Sequence, residues 1–170
     1  TGSLQRCRLK FGTLGNTTGM VQMTNNSISV SNSLLSDAGH GLALVGTSNP
    51  AITDVAIHNC ASTPILMSVA ANPALTGVTF LANAITAIGL EGEDIAVNSQ
   101  LSQRNVGGYA NITYYVMNGA LHVLSGTTLT IDPGVVLKNQ PGGAGIVCDG
   151  ALVADGTPGA PIVFTSLYDD

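Results

Sequence analysis

Tryptophan is absent from this chain of 170 residues, aromatics reach only 4%, and charged residues only 9%, against about 25% in an average soluble domain. Scarce charge combined with 45% apolar residues excludes a disordered chain, which has the opposite composition. Only five residues are Lys or Arg and the net charge is −5. Nucleic-acid binding needs clustered cations to neutralise phosphates, so that class is excluded too. Long apolar runs are also missing. The best candidate, PILMSVAANPALTGVTFLANAITAIGL, is cut by Pro, Asn, Thr and Gly and gives no membrane span of roughly 18 residues or more. Helix formers such as Glu, Lys and Arg are too few, and period-two alternation too frequent, for a helical bundle.

Cysteine is scarce and odd in number: Cys7, Cys60 and Cys148 match no zinc-ligand spacing. Alternation in SLQRCRLKF turns Cys7 inward beside Leu9, where a thiol acts as a small apolar residue. A Cys7–Cys60 bridge is the alternative and requires Cα atoms within about 7 Å. In the same segment Arg6, Arg8 and Lys10 recur every second residue, which places all three on the outward, solvated face of a strand.

What is abundant is punctuation. There are 21 glycines, with Ser, Thr and Asn plentiful at the ends of short apolar runs, where they suit corners. Four segments share one template of apolar, two residues, small or apolar, one residue, apolar: Leu4-x-x-Cys7-x-Leu9, Val30-x-x-Ser33-x-Leu35, Ile52-x-x-Val55-x-Ile57 and Leu75-x-x-Val78-x-Phe80. Their starts lie 26, 22 and 23 residues apart, and each is followed by a second short apolar run, at 20–23, 42–45, 65–69 and 87–90. Single units of this size bury too little to be stable, whereas stacked units shelter one another. The period predicts an all-β parallel β-helix of about seven coils with open ends. A β-sandwich has turns every 8–12 residues but no reason for self-similarity at 22–26.

Residues 1–90 are expected to form the looser coils and 91–113, which hold three acids in four residues and a Gly pair, a connector or exposed loop. In 114–170 the strands resume as TYYVMN, ALHVLSG, TLTIDPG, VVLKN, GIVCDG, ALVADG and PIVFTS. The runs YYVMNGALHVLSGTTLTIDPGVVLKN and GIVCDGALVADGTPGAPIVFTS closely resemble the right-handed parallel β-helix repeats of large bacterial secreted and surface proteins. Gly126, Thr128, Leu129, Ile131, Pro133, Gly134, Val135 and Lys138 match the first part of that motif. Leu152, Ala154, Gly156, Thr157, Pro161, Ile162, Phe164, Thr165 and Ser166 match the second. The resemblance implies a right-handed solenoid and an extracellular or cell-surface setting. The chain opens and closes inside the pattern and is expected to be an excerpt of a longer or tandem array. Its end should feed into something like its own beginning, so the expected partners are copies of itself or adjacent repeats.

β-helices also include polysaccharide lyases and hydrolases, and a hydrolase needs paired carboxylates. Asp37 and Asp54 are 17 apart, and Asp132, Asp149 and Asp155 are 17 and 6 apart, so no two consecutive acids of these sets fall at the coil period. Asp132 and Asp149 read as turn residues. Lys138 has no acid cluster of the kind a calcium-dependent lyase would use. The histidines His40, His58 and His122 are isolated and read as corner or surface residues. No catalytic residue and no cofactor are expected; calcium at Asp169 and Asp170 is the one metal site considered. The sequons at Asn16, Asn25 and Asn111 are acceptors only if the source glycosylates. The expected function is an extracellular scaffold: filament, sheath, stalk or adhesin segment. The alternatives are a module binding glycans or cell surfaces, for which Tyr109, Tyr114 and Tyr115 near the connector are the aromatic candidates, and a polysaccharide-active enzyme.

Overall fold

The computed structural model describes residues 2–12, 18–142 and 145–169. The early coils contain β1 (Ser3–Gln5), β2 (Arg8–Lys10), β3 (Gly19–Thr24), β4 (Ser29–Ser36), β5 (His40–Val45), β6 (Ala51–His58), β7 (Ile65–Met67), β8 (Ala74–Thr76), β9 (Thr79–Leu81) and β10 (Ile88–Ile95). The later ones contain β11 (Ser99–Leu101), β12 (Tyr114–Val123), β13 (Thr128–Ile131), β14 (Val136–Asn139), β15 (Ile146–Cys148), β16 (Ala151–Val153) and β17 (Val163–Ser166). No helix occurs among the described residues. Every pairing between these strands is parallel, and the chain winds into a β-solenoid of about seven turns. One sheet threads the whole stack in the order β17-β14-β12-β10-β7-β5-β3. A second, built from β1, β2, β4, β6, β8 and β9, flanks the early coils, and a third, β11-β13-β16, flanks the late ones.

The sequence template is the pairing register. Leu4 lies against Val30, Val30 against Ile52 and Ile52 against Leu75; Leu9, Leu35, Ile57 and Phe80 form the companion column. In the through-running sheet Leu42, Ile65, Ile88, Tyr114, Leu137 and Phe164 stack in the same way. The interior members of these columns are fully buried and belong to one continuous core. Each such side chain removed from water is worth about 1.5–3 kcal/mol, and only stacking supplies the neighbours.

Bends of the early coils, some between strands and some inside β4 and β6, are set by backbone conformation. Arg6, Asn32, Asp54 and Gly77 form one column of positive φ (53°, 49°, 53°, 62°), and Phe11, Asp37, Asn59 and Ala82 a second (58°, 61°, 54°, 53°). Gly, Asn and Asp adopt this left-handed conformation readily; for Arg, Phe and Ala it costs about 1–2 kcal/mol. Three of these corners therefore hold residues whose conformation is imposed by the coils beside them.

Residues 91–113 are not a loop throughout. β10 continues through Glu91, Glu93 and Asp94 to Ile95, and β11 follows. The register shifts between Glu91 and Glu93, where Gly92 lies so near Gly119 that a Cβ would come within 2.6 Å of its backbone. The acids are tolerated in a strand because Asp94 faces solvent and Glu93 accepts a bond from the Val69 backbone N–H at 2.6 Å. Beyond β11 the segment runs partly exposed, at Gln103, Asn105 and Gly108 to Ala110, and is pinned to earlier coils. Arg104 donates to the Pro73 carbonyl, to Asn72 Oδ1 and to the Tyr114 hydroxyl, and Val106 and Ile112 are buried.

The three cysteines are free thiols; Cys7 is half-buried, Cys60 buried and Cys148 exposed. Cys7, expected to turn inward, bonds the Gln5 carbonyl through its Sγ, and its backbone N–H donates to Ser33 Oγ of the next coil.

Candidate functional site

On the outer surface of the through-running sheet, β10 and β12 place Asp94 and His122 side by side, and the corner after β15 brings in Asp149. His122 Nδ1 is 2.9 Å from Asp94 Oδ1, and Nε2 is 2.9 Å from Asp149 Oδ2. A neutral imidazole carries one N–H, so only the doubly protonated ring donates to both carboxylates. The pKa of His122 is accordingly raised, first by the bond to Asp149 and then by that to Asp94. Sequence spacing hid this trio, because two extra residues in β12, between Met117 and Leu121, stretch the step from Asp94 to His122 to 28 residues, outside the period seen earlier in the chain. His122 alternates outward as expected but is not isolated. His40 is a correction of a different kind: it opens β5, is fully buried, and has Nδ1 at 2.9 Å from both the carbonyl and the hydroxyl of Thr63. Its GHG context reads as a turn, yet an adjacent coil supplies a buried polar partner.

The acids otherwise serve the frame. Asp37 accepts from Ser36 Oγ and, at 3.2 Å, from Asn59 Nδ2; those two bonds hold its carboxyl below the usual range. Asp132 accepts from Gln100 Nε2. Glu93 is pushed upward by burial, opposed by the Ser68 and Val69 bonds. The Cys60 thiol, also by burial, is pushed up to about 11, which makes it a poor nucleophile.

Asp169 is exposed and accepts from the Thr165 hydroxyl, while its carbonyl accepts from Lys138 Nζ; Asp170 lies outside the described residues, as does Asn16. Among the described residues no three His, Cys, Asp or Glu side chains are placed to hold a metal ion. The amide of Asn111 donates to the Gly134 carbonyl at 2.7 Å, whereas Asn25 is exposed and its Oδ1 accepts from the Thr47 N–H.

The three candidate tyrosines do not share a surface. Tyr114 points into the core, donates to the Ser102 carbonyl and has its ionisation opposed chiefly by burial. Tyr115 points out, into a small apolar patch with Leu66, Ala87 and Met117. Tyr109 is half-exposed in a turn. The aromatic that sequence reading passed over is Tyr168, which with Tyr115, Thr86, Thr113, Lys138 and Leu167 borders an outer groove of about 620 Å³. Comparison with protein-family models, with curated proteins and with solved structures gives no match to this chain.

Proposed function

We propose that this chain is a segment of an extracellular structural rod, a filament, sheath, stalk or adhesin scaffold, of the kind built from right-handed β-helix repeats in large bacterial secreted and surface proteins. The observation that carries the proposal is the continuity of the apolar columns through the described coils, which bind them into one core. Polar side chains are committed to the same end. The Asn49 N–H donates to Ser27 Oγ, the Asn72 N–H to Asn49 Oδ1 and the Cys60 N–H to Asn83 Oδ1, each bond tying one coil to the next. A chain whose polar groups are spent on holding layers together suits load-bearing more than turnover. Negative-stain electron microscopy of native material tests this: rods or filaments of uniform width are expected, and isolated compact particles would refute it.

The groove bordered by Tyr115 and Tyr168 favours a second reading, a glycan-binding face. Its volume is that of a small-ligand site, and its lining joins aromatic rings to hydroxyls and one cation. Binding to a panel of soluble polysaccharides that is lost in Tyr168→Ala would establish it. Absence of polymer cleavage in the same panel would separate binding from a polysaccharide-active enzyme.

A further inference from the structure

We propose that a groove across the coils of residues 47–130 binds an extended, uncharged polysaccharide through a ladder of side-chain amides. The site shares no residue with the groove of Tyr115 and Tyr168, and it stands whether or not the chain forms a rod. Asn49 leads into β6, Asn72 into β8 and Asn98 into β11, so one corner of three successive coils carries an exposed asparagine. Each side-chain oxygen is already taken. Asn49 Oδ1 accepts from the Asn72 N–H, Asn98 Oδ1 from the Thr128 N–H, and Asn72 Oδ1 from Arg104 Nη2. Every one of these partners is a donor, so the atom facing it is the oxygen of the amide. The amide is planar, and its Nδ2 therefore points away from that partner. Among the described residues none of the three Nδ2 groups bonds another part of the chain.

The ladder opens where the coils part. Asn72 bonds Asn49 on one side, but on the other its oxygen is taken by Arg104 instead of by the Asn98 corner, and β8 and β11 belong to different sheets. The opening is a cavity of about 240 Å³ that includes all three asparagines. It meets a second, of about 380 Å³, at Asn98, Ser99 and Gln100, and Thr128 and Thr130 carry that one into the following coil. Neither has a charged residue in its lining, while an adjoining cavity holds Glu93 and Asp94. The groove therefore repels a polyanion. Oriented N–H donors beside Ser and Thr hydroxyls match the ring and hydroxyl oxygens of sugars. No aromatic ring lines the groove, so one sugar has nothing to stack on and each contact is weak. Affinity then comes from repetition along the axis. Corners recur at a coil spacing of about 4.8 Å, close to the advance of one sugar in an extended chain, which selects a polymer over a monosaccharide.

The test is affinity electrophoresis of the full chain in neutral glucan, xylan and mannan, with polygalacturonate and gelatin as polyanion and polypeptide controls. One variant carries Asn49→Asp, Asn72→Asp and Asn98→Asp, which keeps each Oδ1 acceptor and replaces each Nδ2 donor. All three side chains are exposed, and unchanged melting confirms the fold. A second variant, Thr130→Val, removes one hydroxyl of the groove at nearly constant shape. Expected is retardation by at least one neutral polymer, competed more strongly by longer oligosaccharides. The triple variant should bind about tenfold or more weakly, Thr130→Val should lose less, and Tyr168→Ala should bind as the parent does. No retardation by any neutral polymer, or stronger retention by polygalacturonate or gelatin, would overturn the site. So would undiminished binding by the triple variant or, where that variant melts early, by Thr130→Val. Binding lost in Tyr168→Ala and kept in the triple variant would sink this site and leave the other groove as the glycan-binding face.

Discussion

Residues 2–90 and 91–169 build the same solenoid with different corners. In the first half the corners repeat as columns of left-handed residues, Arg6-Asn32-Asp54-Gly77 and Phe11-Asp37-Asn59-Ala82. In the second half left-handed residues also occur at corners, Asn111 and Gly134 among them (φ 51° and 81°), and long side chains add ties across them. Gln100 donates to Asp132, Gln103 to the Pro133 carbonyl, Asn111 to the Gly134 carbonyl, and the Thr128 N–H to Asn98. A corner fixed by backbone conformation has a constant length; a corner tied by a side chain tolerates a varied one. What the two halves have in common is the apolar column between corners, and the largest effects should come from there. Leu42→Ala in the first half and Leu129→Ala in the second both empty fully buried sites, and each should cost about 2–5 kcal/mol. Because one core spans both, calorimetry should show a single transition in either variant. Two transitions, with each substitution moving only one, would divide the halves into separate cooperative units.

The next effect concerns a tie from the second half back to the first. Arg104 ties the crossing segment to Asn72 and Pro73 of an earlier coil and satisfies the Tyr114 hydroxyl. Charge-assisted bonds of this kind contribute about 1.5–3 kcal/mol. Arg104→Met keeps the stem and removes the donors, and denaturant unfolding should register a loss of about 2–3 kcal/mol. A loss below about 0.5 kcal/mol, the level of an ordinary surface substitution, would mean that the segment is held by buried Val106 and Ile112 and by bonds such as that of Asn111 to the Gly134 carbonyl.

The third effect has the opposite sign and belongs to the first half. Ala82 is exposed, with φ 53°, at a position filled by Asn59 one coil earlier. Ala82→Gly removes the side chain that makes this conformation costly, and should raise stability by about 0.5–1 kcal/mol even after the entropy that glycine adds to the unfolded chain. Ala82→Asn should also gain. A loss in both variants would show that the corner is held by packing instead of tolerated against backbone preference.

This contrast also explains what could be read from sequence. The template at residues 4–80 was legible because inward residues in register must be alike, and its steps of 26, 22 and 23 residues are the pairing steps of Leu4, Val30, Ile52 and Leu75. The strands of 114–170 were legible through their Gly, Asn and Asp-Gly punctuation. The strand character of Glu91–Ile95 was not, because charge in a strand reads as loop when its partners, the Val69 N–H and His122, come from other coils. His40 was missed for the same reason, since the group that satisfies it, Thr63, lies 23 residues away. Sequence reports what alternates along a strand; it does not report what one coil donates to the next.

The smallest effect concerns such a donation. His122 bridges Asp94 and Asp149 on an exposed face, so the contribution to stability is modest, but its pH dependence is distinctive. The folded-state pKa is raised above 6.5, first by Asp149 and then by Asp94, which means the folded chain holds this proton more tightly than the unfolded one. The contribution is therefore complete below about pH 6.5 and is lost as pH rises through the higher folded value. It fades again near pH 4, where the aspartates themselves protonate. Asp149→Asn should melt below the parent at pH 6 and with it at pH 9, and NMR titration of the His122 ring should move down toward the value of a free imidazole. A melting difference that persists unchanged at pH 9 would assign Asp149 to the corner after β15 rather than to the histidine. The bond from His122 to Asp149 would then be incidental to stability.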